Sequence, residues 1–304
     1  MRGDRVVNTR AKRHCAKTPP VGDGLVRQFE EDGAAVVRDA IGLDWIVRMQ
    51  SAIDAALANP TPAGGDYESG SGRFASDFFT WLRYPEIRDF LFESPLAEIA
   101  QCFMRSETVN FFYDHLLVKE PGTLNPTPWH QDYPYWCVKG WNVISIWVPF
   151  DPAGPENGVV RYVKGSHRQG VFWRPQRFGS YRESTGNANN PIDDVLPGMQ
   201  DAPDIDGRPD DFEVLTWALE PGDVLVHHAR TLHGAGGNLS TQKRRRALAT
   251  RWTGDGVTYD PRPGTFQHGS KYRFATENRL PPRAGMPMDS KLFPRVIPRG
   301  HTDG

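Results

Sequence analysis

The apolar positions near the start of the chain follow the period of an α-helix. In the longest such segment Ile46, Met49 and Ile53 fall on one face, and the proline at position 60 ends the pattern. A Ser-Pro pair at 94–95 is typical of a helix start, and the apolar residues after it keep the same spacing. The pattern therefore predicts scaffold helices near 25–29, 43–57 and 96–104.

Further along, the apolar residues occur in short runs that are rich in β-branched and aromatic side chains. Gly, Pro, Asp or Asn bounds each run, as expected for strands. No long helical pattern separates these runs, which favours two stacked sheets, a sandwich or jelly roll. The fold class predicted is mainly β with flanking helices. The predicted strands are 34–37, 109–119, 142–150, 158–163, 224–228 and 245–252.

Four stretches of the chain show neither the helical nor the strand pattern of apolar residues. Residues 1–22 are basic without a long apolar run, which predicts a disordered tail; an organelle transit peptide is the alternative, although the first twenty residues contain no serine. Stretches 61–76 and 168–213 are predicted to be long loops, which often carry specificity. Residues 281–304 are predicted to be a Pro- and Arg-rich C-terminal tail. Without an internal repeat or a linker, residues 23–280 are expected to form one domain.

Composition narrows the kind of partner. Lys and Arg total 36 while Asp and Glu total 37, so nothing favours nucleic acid or an anionic membrane, and a small-molecule substrate is expected. No apolar run approaches the roughly 18 residues that cross a bilayer. The three cysteines are far apart and form no CxxC pair, which fits a reducing compartment and predicts a cytoplasmic protein. The oligomeric state is not predicted from the sequence.

The strongest chemical signal is a histidine and an aspartate two positions apart, His130 and Asp132. On an extended strand both side chains would point to the same face and could reach one ion. An exposed surface pair is the alternative, since most aspartates lie at the surface. A third ligand would come from His227, His228 or His233, and their spacing alone does not choose between them. Two histidines and one carboxylate are the ligand set of non-haem Fe(II) oxygenases.

Aromatic residues follow this pair along the chain. Rings beside polar ligands suit a dry pocket, whereas packing in the core is the equally simple alternative for each ring. The candidate substrate-pocket residues are Tyr133, Tyr135, Trp136, Phe78 and Arg73.

A basic cluster at 243–246 is the other candidate for binding chemistry. A solvated turn accounts for some of its four cations. One arginine near the start of the predicted strand 245–252 is expected to face inward, where a guanidinium can bind a carboxylate at two points.

Three segments in order, 119–136, 157–167 and 222–248, resemble the phytanoyl-CoA dioxygenase family. They contain Thr-Pro-Trp-His-Gln-Asp, then Asn-Gly followed by Gly-Ser-His, then Leu-His-Gly followed by Arg-Arg-Ala-Leu. The resemblance implies a cupin-like double-stranded β-helix, or jelly roll. It also implies an Fe(II)- and 2-oxoglutarate-dependent dioxygenase, with O2 as second cosubstrate and succinate and CO2 as products.

The resemblance assigns the iron ligands to His130, Asp132 and His233. It then makes His228 a strand residue beneath the site. Because halogenating relatives lack the carboxylate, Asp132 implies hydroxylation, desaturation or ring closure, with hydroxylation foremost.

The resemblance also places a cosubstrate arginine shortly after the distal histidine. Counting from His233 gives Arg244, whereas counting back from the following Ala-Leu gives Arg245, which is the preferred assignment. Lys119 matches a position near the cosubstrate, and Ala235 stands where many relatives have a serine. Two rival functions are a non-oxidative jelly-roll metalloenzyme, such as an isomerase or lyase, and a non-catalytic ligand-binding jelly roll.

Overall fold

The structure is a computed structural model of the chain. It describes residues 21–67, 72–175, 196, 198–263, 265 and 272–299. The predicted tail 1–22 lies outside the described residues up to position 20. So do much of the predicted loop 168–213 and the last five residues of the predicted tail 281–304.

The described residues form antiparallel sheets with helices packed against them. The helices are α1 (Asp23–Asp32), α2 (Leu43–Ala58), α3 (Pro85–Glu93), α4 (Leu96–Met104) and α5 (Arg273–Thr276). The strands are β1 (Ala34–Val37), β2 (Gly65–Tyr67), β3 (Phe74–Phe78), β4 (Val109–Lys119), β5 (Thr127–His130), β6 (Val138–Lys139), β7 (Val143–Pro149), β8 (Val160–Val163), β9 (Val214–Leu215), β10 (Val224–His228), β11 (His233–Ala235), β12 (Arg245–Thr253), β13 (Thr258–Tyr259) and β14 (Arg295–Ile297).

Two sheets carry the fold. The large sheet has the strand order β1-β10-β7-β12-β4-β3-β2, with β14 also pairing with β4, and the small sheet has the order β5-β11-β8-β9. Strands β6 and β13 form a separate ribbon. Neighbouring strands come from distant parts of the chain, as in a jelly roll. The predicted fold class, mainly β with flanking helices in a jelly roll, is confirmed.

Helices cover one face of the large sheet. In α4, Leu96, Ile99 and Phe103 are buried in the core shared with this face, as their spacing predicted. Burying each such side chain contributes about 1.5–3 kcal/mol. Helix α3 was not predicted, although Pro85 in its first turn is a helix-start signal. Among the described residues, no helix combines the length and apolar character that a membrane span requires.

The other face of the large sheet, here called the inner face, packs toward the small sheet. Ala247 and Ala249 of β12 lie in one apolar cluster with Tyr162 of β8. Side chains alternate along a strand, so Arg245 and Arg251 share the inner face with the two alanines. The inner face therefore combines small apolar residues with two buried cations.

Two regions differ from the sequence predictions. Within the predicted loop 61–76, β2 and the start of β3 form a hairpin that extends the large sheet beside β4. Within the predicted tail 281–304, Leu292 and Phe293 are fully buried and β14 pairs with β4. In both regions a few apolar residues pack into the sheet or the core. The many Gly, Pro and Arg residues around them led to the prediction of a loop and a tail.

Candidate metal site

Three buried side chains form a group that could hold one metal ion: His130, Asp132 and His233. One ligand atom of each lies within 4.8 Å of those of the other two. His130 ends β5 and His233 begins β11, and the two are direct cross-strand partners with ring centroids 4.2 Å apart. The pairing of the small sheet therefore brings together histidines that are distant in sequence.

Asp132 reaches the group from outside the strand. Strand β5 ends at His130, and Asp132 has helical backbone angles, φ −71° and ψ −37°, at the start of the short helical turn Tyr133–Tyr135. The expectation that both residues lie on one strand was therefore wrong. The chain bends after His130, and this bend brings a carboxylate oxygen of Asp132 to 3.7 Å from Nε2 of His130.

Backbone carbonyls fix the orientation of both imidazoles. The Nδ1 atom of His130 lies 2.8 Å from the carbonyl oxygen of Pro128, and Nδ1 of His233 lies 2.9 Å from that of Thr231. A carbonyl oxygen only accepts, so each Nδ1 carries a proton and donates it. The lone pair of each ring is then on Nε2, the nitrogen that faces Asp132.

The adjacent histidines of β10 face opposite ways. His227 lies beneath the group, with Nε2 3.3 Å from an oxygen of Asp132 and its ring 4.4 Å from that of His233. His228 points to the other face, with Nε2 2.8 Å from the carbonyl oxygen of Trp141. The prediction that His228 lies beneath the site was wrong, because the strand register turns His227 to the inner face.

Burial and hydrogen bonding set the charges of the group. Burial lowers the pKa of His233 well below its ordinary value and also lowers the pKa of His227, so both are neutral near pH 7. Burial acts to raise the pKa of Asp132, but the surrounding imidazoles, with His227 as hydrogen-bond donor, and the guanidinium of Arg251 outweigh it and hold this pKa well below the usual range. The group therefore sets a carboxylate beside the neutral imidazoles of His227 and His233, and the neutral imidazole is the form that binds a metal.

Replacing His228 with glutamine should make the protein less sensitive to acid. Nδ1 of His228 accepts the backbone N–H of Arg230, and Nε2 donates to the carbonyl oxygen of Trp141. A second proton would have to sit on Nδ1, where it would point at the N–H of Arg230. Burial lowers the pKa of His228 from 6.5 to about 3. Between these values only the unfolded chain takes up the proton, so stability is lost as pH falls. At pH 5 this loss is about 2 kcal/mol.

Urea unfolding of wild type and His228→Gln at pH 7 and pH 5 measures this difference. The variant should lose about 2 kcal/mol less between the two pH values. Equal losses in both proteins would contradict a neutral, buried His228.

Two further cations are buried near one end of β11. Arg245 and Lys119 are cross-strand partners, 2% and 0% exposed. Lys119 donates to the carbonyl oxygen of Gly236, which directly follows β11. The guanidinium of Arg245 lies 5.4 Å from the centre of the Trp147 ring and donates to the carbonyl oxygen of Leu117 at 3.3 Å. Neither cation forms an ion pair with an acidic side chain in the part of the chain that the structure describes.

Their burial has electrostatic consequences. It lowers the pKa of Lys119 to about 6, with Arg245 adding to the effect, and it lowers the pKa of Arg245 to about 10. Arg244, the other candidate, points outward to ion pairs with Glu120 and Asp54. Of the two arginines, only Arg245 lies inside the barrel.

The rings predicted for the substrate pocket have different surroundings. Tyr135 lies edge-on to His130 at 5.8 Å and so borders the candidate metal site. Trp136 is 1% exposed and packs on Tyr113. The ring of Tyr133 is buried against Phe172, and its hydroxyl accepts the backbone N–H of Gly140. Phe78 stacks on His115 at 3.9 Å.

Arg73, the fifth candidate, is about half exposed and pairs with Asp66 at 3.0 Å on the hairpin of β2 and β3. The structure therefore does not bring it to the metal group. It brings Arg251 to the inner face instead, a residue that was not predicted. Because side chains alternate between the two faces of a strand, every second residue after Arg245 faces inward, and this rule would have indicated Arg251.

Comparison with known proteins identifies the family of the chain. A model of the phytanoyl-CoA dioxygenase (PhyH) family matches residues 29–247. The multifunctional dioxygenase prhA of Penicillium brasilianum is 25% identical over 241 residues, 75% of this chain and 70% of that protein. The probable alpha-ketoglutarate-dependent hypophosphite dioxygenase of Stutzerimonas stutzeri is 29% identical over 130 residues, 42% of this chain and 40% of that protein.

A solved structure shares the fold. The non-heme alpha ketoglutarate dependent epimerase SnoN from nogalamycin biosynthesis has a TM-score of 0.68 and 21% identity, covering 90% of this chain and 98% of that one. A second structure of SnoN, with a TM-score of 0.64, 21% identity and the same coverage, is a complex with Fe3+, alpha ketoglutarate and nogalamycin RO.

The relatives are named dioxygenases, which confirms the predicted enzyme class. They do not favour a non-oxidative metalloenzyme or a non-catalytic binding jelly roll. The chain belongs to the phytanoyl-CoA dioxygenase family.

Proposed function

We propose that His130, Asp132 and His233 bind one Fe(II) ion and that the enzyme uses 2-oxoglutarate and O2 to oxidise a small organic molecule, in the simplest case by hydroxylation. The observation that carries this proposal is the buried group of two histidines and one carboxylate, with ligand atoms within 4.8 Å of one another. The complex of SnoN with Fe3+ and alpha ketoglutarate supports it, since SnoN has the same fold.

The donor chemistry fits Fe(II). Both histidines direct Nε2 lone pairs toward Asp132, because their Nδ1 protons are donated to carbonyl oxygens. Two neutral nitrogens and one carboxylate are a ligand set that suits Fe(II) and leaves further positions for other ligands. Asp132 is also held ionised by its neighbours.

The two inward cations fit 2-oxoglutarate. A buried cation without an anion is unfavourable, so Arg245 and Lys119 together favour a ligand with a carboxylate. Arg245 would bind the carboxylate far from the iron at two points, and Lys119 would add a single donor. Lys119 contacts Gly236, which follows the far end of β11, and the three residues from His233 to Gly236 span about 10 Å of extended chain, within reach of a small dicarboxylate.

When bound at this site, Fe(II) and 2-oxoglutarate would supply the oxidant, since the loss of CO2 that yields succinate is coupled to reduction of O2. The residues of the chain supply geometry and exclude water. His227 donates to Asp132 and fixes its carboxylate, and the carbonyls of Pro128 and Thr231 fix the two rings. The ring of Tyr135 beside His130 limits the access of water.

Anaerobic addition of Fe(II) and 2-oxoglutarate tests the proposal. A visible metal-to-ligand charge-transfer band is expected in wild type and should be lost in His130→Ala. His228→Gln is the matched control, because His228 is also a buried histidine but faces away from the group. Absence of the band in folded, iron-loaded wild type, or its persistence in His130→Ala, would contradict the proposal.

Turnover separates the enzyme from a binding module. The oxygenase should convert 2-oxoglutarate to succinate in the presence of O2, and His130→Ala should not. A ligand-binding jelly roll would produce no succinate in either case.

A further inference from the structure

Arg251 is a third inward cation, and the metal and 2-oxoglutarate sites do not use it. Its side chain is on the inner face of β12 and is 5% exposed. One terminal nitrogen donates to the carbonyl oxygen of Ala249 at 2.6 Å, but Nε has no hydrogen-bond partner within the described part of the chain. No acidic side chain in that part lies within ion-pair distance of it. Arg251 is therefore a buried donor with unused capacity.

Two aromatic rings flank the guanidinium of Arg251. Its guanidinium lies 4.9 Å from the centre of the Tyr113 ring and 5.9 Å from that of Trp136. Contacts with ring faces hold a guanidinium in place without neutralising its charge. Trp136 belongs to the segment that follows Asp132, so the rings connect this cation to the metal group.

The strand register places Arg251 in one row with the metal group. Arg251 pairs with Ser145 of β7, and Ser145 pairs with His227 of β10, which hydrogen-bonds Asp132. Directly paired residues share a face, and the two strand spacings together span about 10 Å. The hydroxyl of Ser145 is also buried without a partner among the described residues. This row therefore leaves two polar groups unused beside the metal group.

The inner face carries only small side chains between the two arginines of β12. Ala247 and Ala249 separate Arg245 from Arg251 along β12, and six residues of strand span about 20 Å. Arg245 and Arg251 therefore act at different positions along the barrel, and one small cosubstrate does not reach both.

Charge counting indicates what Arg251 would bind. If Fe(II) and the dianion of 2-oxoglutarate occupy the proposed sites, their charges and those of Asp132 and Arg245 sum to zero. Arg251 then remains as an uncompensated buried cation whether Lys119 is neutral or charged. Such a charge is costly unless a ligand brings an anion.

We propose that Arg251 is the substrate-recognition residue and that it binds a carboxylate or another small oxyanion of the substrate, whose apolar body packs against Tyr113 and Trp136. This assignment rests on the proposed function, because it takes the iron and 2-oxoglutarate sites as occupied. The substrate class is then an organic acid with an apolar or aromatic body.

Matched acids and amides test this assignment. The probes are benzoate, phenylacetate and phenylpropanoate, each paired with its primary amide, added anaerobically to the Fe(II) and 2-oxoglutarate complex with 2-oxoglutarate in excess. The change in the charge-transfer band reports binding. At least one acid should bind wild type at least about tenfold more tightly than its amide, and Arg251→Met should lose this preference. Arg73→Met, which removes an exposed arginine paired with Asp66, should keep it.

The outcomes separate the two proposals. A missing band in wild type overturns the proposed function and this assignment with it. If wild type shows the normal band, the proposed function stands and four results overturn this assignment alone. These are equal binding of acids and amides, no binding of any acid, competition of the acids with 2-oxoglutarate, and an acid preference that persists in Arg251→Met. Should Arg251→Met not fold, Arg251→Lys gives the test, since it keeps the charge and loses two-point binding. It should weaken acid binding, and an unchanged acid affinity overturns the assignment.

Discussion

Replacing Asp132 with alanine is expected to lower the affinity for Fe(II) by more than about 100-fold, because loss of an outer partner alone costs about 10–100-fold. The change removes one of three donors and the only carboxylate among them. His130 and His233 would remain as two nitrogen donors, which bind Fe(II) weakly without the carboxylate. Anaerobic Fe(II) titration against a competing chelator measures the affinity, and succinate formation should fall with it.

Two control variants give this prediction a graded form. His227→Leu removes the hydrogen bond to Asp132 but no proposed ligand, so a loss of about 10–100-fold is expected. His228→Gln should leave Fe(II) affinity unchanged, since His228 contacts Trp141 instead. If Asp132→Ala bound Fe(II) as well as His227→Leu does, Asp132 would not be a ligand.

The sequence was most informative where one local rule governs the structure. Strands β4 and β10 have the predicted ends, because β-branched and aromatic runs bounded by turn residues leave little choice. The same holds for helix α4, whose apolar spacing and Ser-Pro start agree. The fold class followed from the order of such elements.

The geometry beneath the site could not be predicted from the sequence. The choice between His227 and His228 depends on strand parity, and a shift of one residue exchanges the two faces. Parity is set by pairing with Ser145 and Ile144 on β7, a contact between residues distant in sequence. The bend that moves Asp132 off the strand is likewise fixed by tertiary structure, since Tyr133 donates its backbone N–H to Ala229.

The choice between two adjacent arginines was open for the same reason. Arg244 and Arg245 differ by one position, and the family's cosubstrate arginine aligns with one or the other depending on the motif from which the count starts. Pairing of Arg245 with Lys119 turns Arg245 inward, while Arg244 meets Glu120 and Asp54 outside. These acidic partners could not be predicted from the local sequence, because they are separated from Arg244 by more than a hundred residues.

Replacing Arg245 with glutamine is expected to raise the dissociation constant for 2-oxoglutarate about 100-fold, since hydrogen bonds to charged groups contribute about 1.5–3 kcal/mol. Glutamine keeps one donor but loses the charge and the two-point geometry that a carboxylate requires. Fe(II) affinity should not change, because Arg245 is not among the metal donors. Titration of the charge-transfer band with 2-oxoglutarate in the iron-loaded variant gives the dissociation constant directly.

Stability separates ligand binding by Arg245 from a structural role. Arg245 is buried without an acidic partner in the described part of the chain, so its removal should change the stability of the ligand-free protein little. Arg244→Gln is the matched control: it breaks exposed ion pairs worth less than about 1 kcal/mol and should leave 2-oxoglutarate binding unchanged. An Arg245→Gln protein that unfolds more readily yet binds 2-oxoglutarate normally would make Arg245 a structural residue. A 100-fold weaker ligand affinity at unchanged stability would make it the anchor of the cosubstrate, because only a group held ready for an anion affects binding without supporting the fold.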